Sequence, residues 1–214
     1  MGLEFIPIFT EWAKEYDATV EGRDPEYAEV FSRYPEMLQM IAEKSGNQVL
    51  EFGSGTGNLT TALLRAGKKV YPIEPSEEMR QIARQKPELK DVHFANGDME
   101  NFEHPSTQID TIVANFVFHH LNGIEKQRAL KQYAALLPVG GKVIIGDTMF
   151  LSRMRFDDVI LQSMASGKDT LADDLQREYY PLIPDLENYF HEAGFTATFL
   201  QINTFAWIVE ATKK

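Results

Sequence analysis

The sequence predicts an α/β fold built on a doubly wound, mainly parallel sheet, and three observations carry that expectation. From residue 48 onward, apolar runs of strand length alternate with segments whose apolar residues recur at helical spacing. A glycine cluster, Gly53-Ser54-Gly55-Thr56-Gly57, stands where the first run passes into the first helix. An acid, Glu74, closes the next run about twenty residues further on.

In chain order, residues 1–46 precede the alternation. They hold a Trp12/Tyr16 stripe, a helix expected to begin at Asp24-Pro25, and a second helix start at Pro35, because proline suits a first helical turn. Val49-Leu50-Glu51-Phe52 is the first strand; Leu59, Ala62, Leu63 and Ala66 then share a helical face until Gly67 stops it. Lys69 to Glu74 is the second strand, and Ser76 caps a helix carrying Met79, Ile82 and Ala83 that Pro87 breaks. Val92 to Ala95 is expected as the third strand and Ile109 to Ala114 as the fourth. A helix over Ile124–Leu137 and a Gly140-Gly141 turn then lead into the fifth, Lys142 to Ile145. Phe150 to Tyr180 has helical patches, and a last helix follows Pro181 and Pro184 and ends at Gly194. Phe195–Leu200 and Thr204–Val209 are β-rich and joined through Gln201-Ile202-Asn203. That link is too short for a helical crossover, so they form an antiparallel pair.

Of the 214 residues, 43% are apolar, enough for one full core, and no repeat or Gly/Ser-rich linker divides the chain. A single domain is expected: a helical cover (1–46), a ligand-binding core (47–147), a second cover (148–185), and the last helix with its strand pair (186–214). With 32 acidic against 21 basic side chains the formal charge is −11, which removes the usual attraction to phosphate backbones, so nucleic acid is not an expected partner. The absence of cysteine excludes disulfides, thiolate metal sites and cysteine nucleophiles. Met1 to Phe9 carries Glu4, lacks a basic start and is too short to span a bilayer, so a soluble cytoplasmic protein without a membrane partner is expected, as monomer or homodimer.

The glycine turn lets backbone pass close beneath a ligand without Cβ obstruction. Its spacing is G-x-G-x-G, not the G-x-G-x-x-G of dinucleotide sites, which weighs against a nicotinamide oxidoreductase. Glu74 stands where an acid accepts hydrogen bonds from ribose hydroxyls, and Gly97-Asp98 brings a second carboxylate to the same sheet edge, able to accept from an exocyclic amine.

Glu51-x-Gly53-x-Gly55-x-Gly57, Glu74-Pro75-Ser76-x-x-Met79, Gly97-Asp98, Asp110-Thr111-Ile112-Val113 through Phe118-His119-His120-Leu121, and Leu137-Pro138-x-Gly140-Gly141 together resemble the ordered motifs of class I S-adenosylmethionine-dependent methyltransferases. Beyond residues 48–147, Glu11-Trp12-Ala13, Tyr16-Asp17, Tyr27-Ala28-Glu29-Val30-Phe31 and Glu178-Tyr179-Tyr180 are similar to the YrrT family of bacterial methyltransferases. The resemblance implies a Rossmann-like seven-stranded sheet with an antiparallel last strand, S-adenosyl-L-methionine as cofactor, and an acceptor the family leaves undefined. It further implies that Gly53, Ser54, Gly55 and Gly57 lie against the methionine and ribose parts, that Glu74 holds both ribose hydroxyls, and that Asp98 takes the adenine amine. Met79 and Met99 would pack on the adenine faces, the Asn115 backbone would meet the amino group, and Tyr16 would close over the carboxylate.

A sulfonium methyl is already activated, so positioning can supply most of the catalysis. A neutral acceptor must still lose a proton, and His119 and His120 are the candidate catalytic residues because they follow the fourth strand. Asp157-Asp158 and Asp173-Asp174 are adjacent acids that do not share a helix face, and no metal is expected. Asn115-Phe116-Val117-Phe118 lacks the Asn/Asp-Pro-Pro-aromatic pattern of enzymes acting on base amines, which leaves a small-molecule acceptor. The alternatives are an NAD(P)-dependent oxidoreductase and a non-catalytic S-adenosylmethionine-binding regulator.

Overall fold

In the computed structural model, residues 12–214 are described, so Met1 to Phe9 and Glu11 lie outside them. Six strands form one sheet: β1 (Gln48–Phe52), β2 (Lys69–Ile73), β3 (Thr111–Asn115), β4 (Lys142–Thr148), β5 (Phe195–Gln201) and β6 (Ala206–Lys213). Their order is β2-β1-β3-β4-β6-β5. β1 to β4 are mutually parallel, and β6 runs antiparallel to both β4 and β5. The expected hairpin at the C-terminus is therefore present, and six strands replace the expected seven.

The missing strand has a local cause. Of the run Val92 to Ala95, only Ala95 bridges to Ile73 on the outer side of β2. The Ala95 N–H donates to the Pro72 carbonyl and the Glu74 N–H to the Ala95 carbonyl. In a strand the N–H and C=O of one residue point the same way, so the donor that would extend this ladder toward His93 belongs to Pro72, which has none.

Sheet residues alternate between two apolar layers. Val49, Val113, Ile144 and Ile208 face the layer formed by residues 20–42, α3 (Asn58–Arg65), α6 (Arg153–Ala165) and α7 (Asp169–Arg177). Leu50, Phe52, Ile112, Val143, Ile145 and Val209 face α5 (Gly123–Leu136) and α8 (Ile183–Glu192). A third small cluster, Ala83, Leu89 and Phe94, lies under α4 (Glu77–Gln85).

Local signals set the helix ends. Ser76 accepts from the Met79 N–H at the start of α4. At α5, Asn122 and Glu125 form a reciprocal capping box that starts the helix at Gly123, one residue before the expected Ile124. The N-terminal region departs more. After α1 (Tyr16–Val20) no helix starts at Asp24-Pro25; residues 25–33 run as consecutive turns. They end at Arg33, whose left-handed φ of 64° interrupts helical continuity before α2 (Tyr34–Lys44), with Pro35 in its first turn.

The two covers pack on each other over the C-terminal edge of the sheet. The Glu26 carboxylate accepts from the Thr170 hydroxyl and the Leu171 N–H, both at 3.1 Å, and the Tyr27 hydroxyl donates to Asp174. Asn203, in the β5–β6 turn, donates to the carbonyls of Val30 and Ser32 and so fixes the first cover to the hairpin. Among the described residues no helix is long and apolar enough to cross a membrane.

Candidate functional site

The first half of the site is backbone. Gly53, Gly55 and Gly57 all have positive φ, and a side chain would meet different things at each. A Cβ on Gly53 would lie 2.6 Å from Val117, and one on Gly57 would strike Leu89, whereas above Gly55 the nearest atom is 4.0 Å away. Two of the glycines therefore allow the protein to close on itself; only Gly55 opens onto free space.

Glu74, just past β2, is buried; its carboxylate accepts the Gly55 N–H at 2.8 Å and the Ser76 N–H at 2.9 Å. Burial raises its pKa, and those two bonds pull it back. Glu51, at the end of β1, accepts the Thr60 hydroxyl at 2.6 Å. Burial first, with nearby Glu74 adding to it against the Thr60 bond, pushes its pKa up to about 8.

Ser54 Oγ and Asn115 Oδ1 are buried without a hydrogen-bond partner, a state that ordinarily costs about 1–3 kcal/mol and points to a missing ligand. The next residue, Phe116, sits at a φ of 51°, an uncommon conformation for an aromatic residue, held by its N–H bond to the Gly146 carbonyl.

The remaining expected contacts are placed as follows. Asp98 caps its own turn, one oxygen accepting the N–H groups of Glu100 and Asn101 at 2.8 Å each. Met79 is buried on α4, and Met99 lies in the core cluster with Phe52 and Tyr133. Burial lifts both the Tyr16 and the Tyr34 phenols, Tyr34 to about 12. Sequence reasoning assigned no role to Asp17, which ties the first cover to the glycine loop. It accepts from the Thr56 hydroxyl at 2.6 Å and the Asn58 amide at 3.0 Å, and pairs with Lys86 at 2.9 Å.

The second half is made of side chains. A cavity of about 440 Å³ between the covers is lined by Tyr16, Phe31, Phe116, His119, His120 and Tyr180, among others. The short 3₁₀ turn Phe118–His120 puts both histidines there. His119 Nδ1 lies 2.6 Å from one Asp147 oxygen, and its backbone N–H donates to the other at 3.0 Å. Its ring stacks on Tyr180.

The two histidines are shifted in opposite directions. Burial acts to lower the His119 pKa, but the carboxylates of Asp147 and Glu178 outweigh it and raise the net value. His120 is driven well below the usual range by burial, by His119 and by Lys126. Lys126 is itself buried, with its ammonium on the carbonyls of Leu121 and Tyr179 and its pKa pushed by burial down to about 7.

Asp147, Glu178 and Lys126 were not among the candidates from sequence. Asp147 had a signal: it is a charged residue continuing the apolar run of a central strand, where burial demands a partner. Glu178 stood out only as part of Glu178-Tyr179-Tyr180, with no role attached, and Lys126 had no signal.

Residues 49–141 match the family described as a methyltransferase domain. Proteins named as uncharacterized methyltransferases from Anoxybacillus flavithermus and Geobacillus sp. are 47% and 49% identical over 214 residues, covering all of both chains in each case. Among solved structures, magnesium protoporphyrin IX methyltransferase from Synechocystis PCC 6803, with bound S-adenosylhomocysteine, is similar with a TM-score of 0.67 at 16% identity, covering 97% of this chain and 99% of that one. A S-adenosylmethionine-dependent methyltransferase from Thermotoga maritima gives 0.66 at 19% identity, covering 97% and 98%.

Proposed function

The chain belongs to the class I S-adenosylmethionine-dependent methyltransferases, and from that premise we propose that it methylates a small molecule bound in the 440 Å³ cavity between its two covers. The cavity carries this reading, because it joins Tyr16, on the cover tied to the glycine loop, with His119 and His120 beyond β3 in one space. Its size suits a small ligand. The chain's charge of −11 disfavours a nucleic acid substrate.

The residues fit the cofactor. The open face of Gly55, the partnerless Ser54 and Asn115 oxygens, and the spare acceptor positions on Glu74 and Asp98 offer acceptors to a ribose, an adenine amine and an ammonium group. Gly53 and Gly57 shape the loop, Met79 and Met99 supply apolar surface, and Tyr16 closes the methionine end. When bound, S-adenosylmethionine supplies a methyl group already activated by its sulfonium charge.

The polar floor of the cavity, His119, His120 and Glu178, is where a neutral acceptor sheds its proton. Asp147 fixes the His119 ring through Nδ1 and directs Nε2 toward Glu178. Phe31, Phe116 and Tyr180 line the space beside these groups.

A screen of small-molecule acceptors scored by S-adenosylhomocysteine release tests this. Turnover that falls with Glu178→Gln while S-adenosylhomocysteine affinity holds supports the cavity as acceptor site; binding without turnover of any acceptor would favour a regulator.

A further inference from the structure

The charged cluster at the cavity floor has a geometry that proton transfer alone does not require. His119 Nε2 lies 3.4 Å from one Glu178 oxygen and His120 Nε2 lies 3.8 Å from the other. Atoms from all three side chains fall within 4.8 Å of one another. These separations are long for direct hydrogen bonds, which favour about 2.7–3.2 Å. The two histidine–glutamate separations are close to the spacing of about 3.4 Å between two ligand atoms that each stand about 2.0–2.1 Å from a tetrahedral ion, and the widest pair, within 4.8 Å, would draw in toward that spacing on a shared ion.

We propose that His119, His120 and Glu178 form a binding site for a divalent transition-metal ion, zinc by ligand class, with an open coordination position facing the cavity. Two imidazoles and one carboxylate suit zinc and its first-row neighbours; magnesium and calcium prefer sets made of oxygen.

The surroundings are those of a metal site. Two of the ligands are oriented by partners of their own: His119 through Nδ1 to Asp147 at 2.6 Å, and Glu178 by the Tyr180 hydroxyl at 2.5 Å. Burial of both histidines limits competition from water, while the place of part-buried Glu178 on the cavity wall leaves one side accessible. The ligands come from two places, the turn after β3 and the segment after α7, so an ion would cross-link a cover to the sheet edge. On the reading of the cavity as acceptor site, the open position would take the attacking oxygen or sulfur of the acceptor and make its proton easier to lose.

The experiment titrates cobalt(II), then zinc as competitor, into the full chain after treatment with a chelator, following visible absorption and calorimetric heat. One equivalent of cobalt should bind with a tetrahedral-type spectrum that zinc abolishes. Glu178→Gln and His120→Asn should each weaken binding by at least tenfold, and Asp147→Asn, which touches only a ligand, by about 10–100-fold.

Weak or multiple cobalt binding without that spectrum in the unmodified protein would overturn the site, whatever the variants do. Binding unchanged in folded Glu178→Gln would overturn it as well. Affinity for S-adenosylhomocysteine, measured on the same samples, keeps the two readings apart. Its loss strikes the methyltransferase assignment, whereas its retention without cobalt binding strikes the metal site alone.

Discussion

The two halves of the site are built from different materials. Around the glycine loop, tight backbone shapes the space for a ligand: the open face at Gly55, the two N–H groups that hold the Glu74 carboxylate, and the chain turning through Phe116. At the cavity floor, ionisable side chains from positions 119, 120 and 178 face the space, with Asp147 and Lys126 buried behind them. The first half rests on short glycine-rich and strand-end segments; the second is assembled by the fold from ionisable side chains, which must satisfy one another because they are buried. The contrast can be broken or sharpened by experiment.

The largest effect is expected at Asp147. It is fully buried and holds both the backbone and the ring of His119, so Asp147→Ala should destabilise the protein by about 3–5 kcal/mol, the usual loss when one partner of a buried charged pair is removed. Denaturant unfolding measures it. A loss under about 1 kcal/mol would mean that the floor is less strictly coupled than its geometry implies.

Glu51 provides the opposite sign in the other half. Its pKa is about 8 in the folded chain against 4.5 as the ordinary value, so the folded state holds a proton that the unfolded chain releases. The sign follows from linkage: stability is fully present below pH 4.5 and is lost as pH rises through about 8. At about 1.4 kcal/mol per unit, Glu51→Gln should stabilise the ligand-free protein by up to about 3 kcal/mol at pH 7 and flatten its melting temperature between pH 5 and pH 8. A variant less stable at pH 7 would show that the carboxyl is retained for its bond with Thr60.

The glycines separate fold from binding. Gly55→Ala should cost about 1–2 kcal/mol for the left-handed backbone and fold normally, yet lose S-adenosylhomocysteine affinity because the methyl group enters open ligand space. Gly53→Ala carries the same backbone cost and adds a clash with Val117, so its stability loss should be the larger. Calorimetry together with unfolding decides the matter; equal stability losses in both would erase the distinction.

The legibility of the two halves follows the same division. The strand–helix alternation, the glycine turn, Glu74 and the C-terminal hairpin all leave short-range signatures, and each stands near where the sequence places it. The third strand failed on a single neighbour: its own residues favour a strand, but the edge it would join carries Pro72. The helix at Asp24 failed although Tyr27, Val30 and Phe31 are buried at helical spacing, because apolar periodicity cannot register the left-handed turn at Arg33. At the floor, His119 and His120 were visible as a pair, but Glu178 lies 58 residues beyond His120, and only the packing of α7 brings them together.

The smallest effect concerns the tie between the halves. Asp17 is half-buried, and its three partners, Thr56, Asn58 and Lys86, hold α1 against the glycine loop. Burial alone would raise its pKa, but the bonds from Thr56, Lys86 and Asn58 outweigh it, so the carboxylate is charged and engaged at neutral pH. A partly exposed pair contributes little to stability, and Asp17→Asn should cost about 1 kcal/mol or less. Its effect on motion should be easier to see. Without the tie, amides of residues 16–20 and 54–58 should exchange faster in the empty protein and recover protection when S-adenosylhomocysteine binds, while β1 and β3 stay protected in both states. The floor should not respond, since His119 is held by Asp147 and Tyr180 and not by α1. Exchange that rises at 118–120 and 178–180 as well would show that the two halves move as one unit, and that what closes over the cofactor also closes over the acceptor.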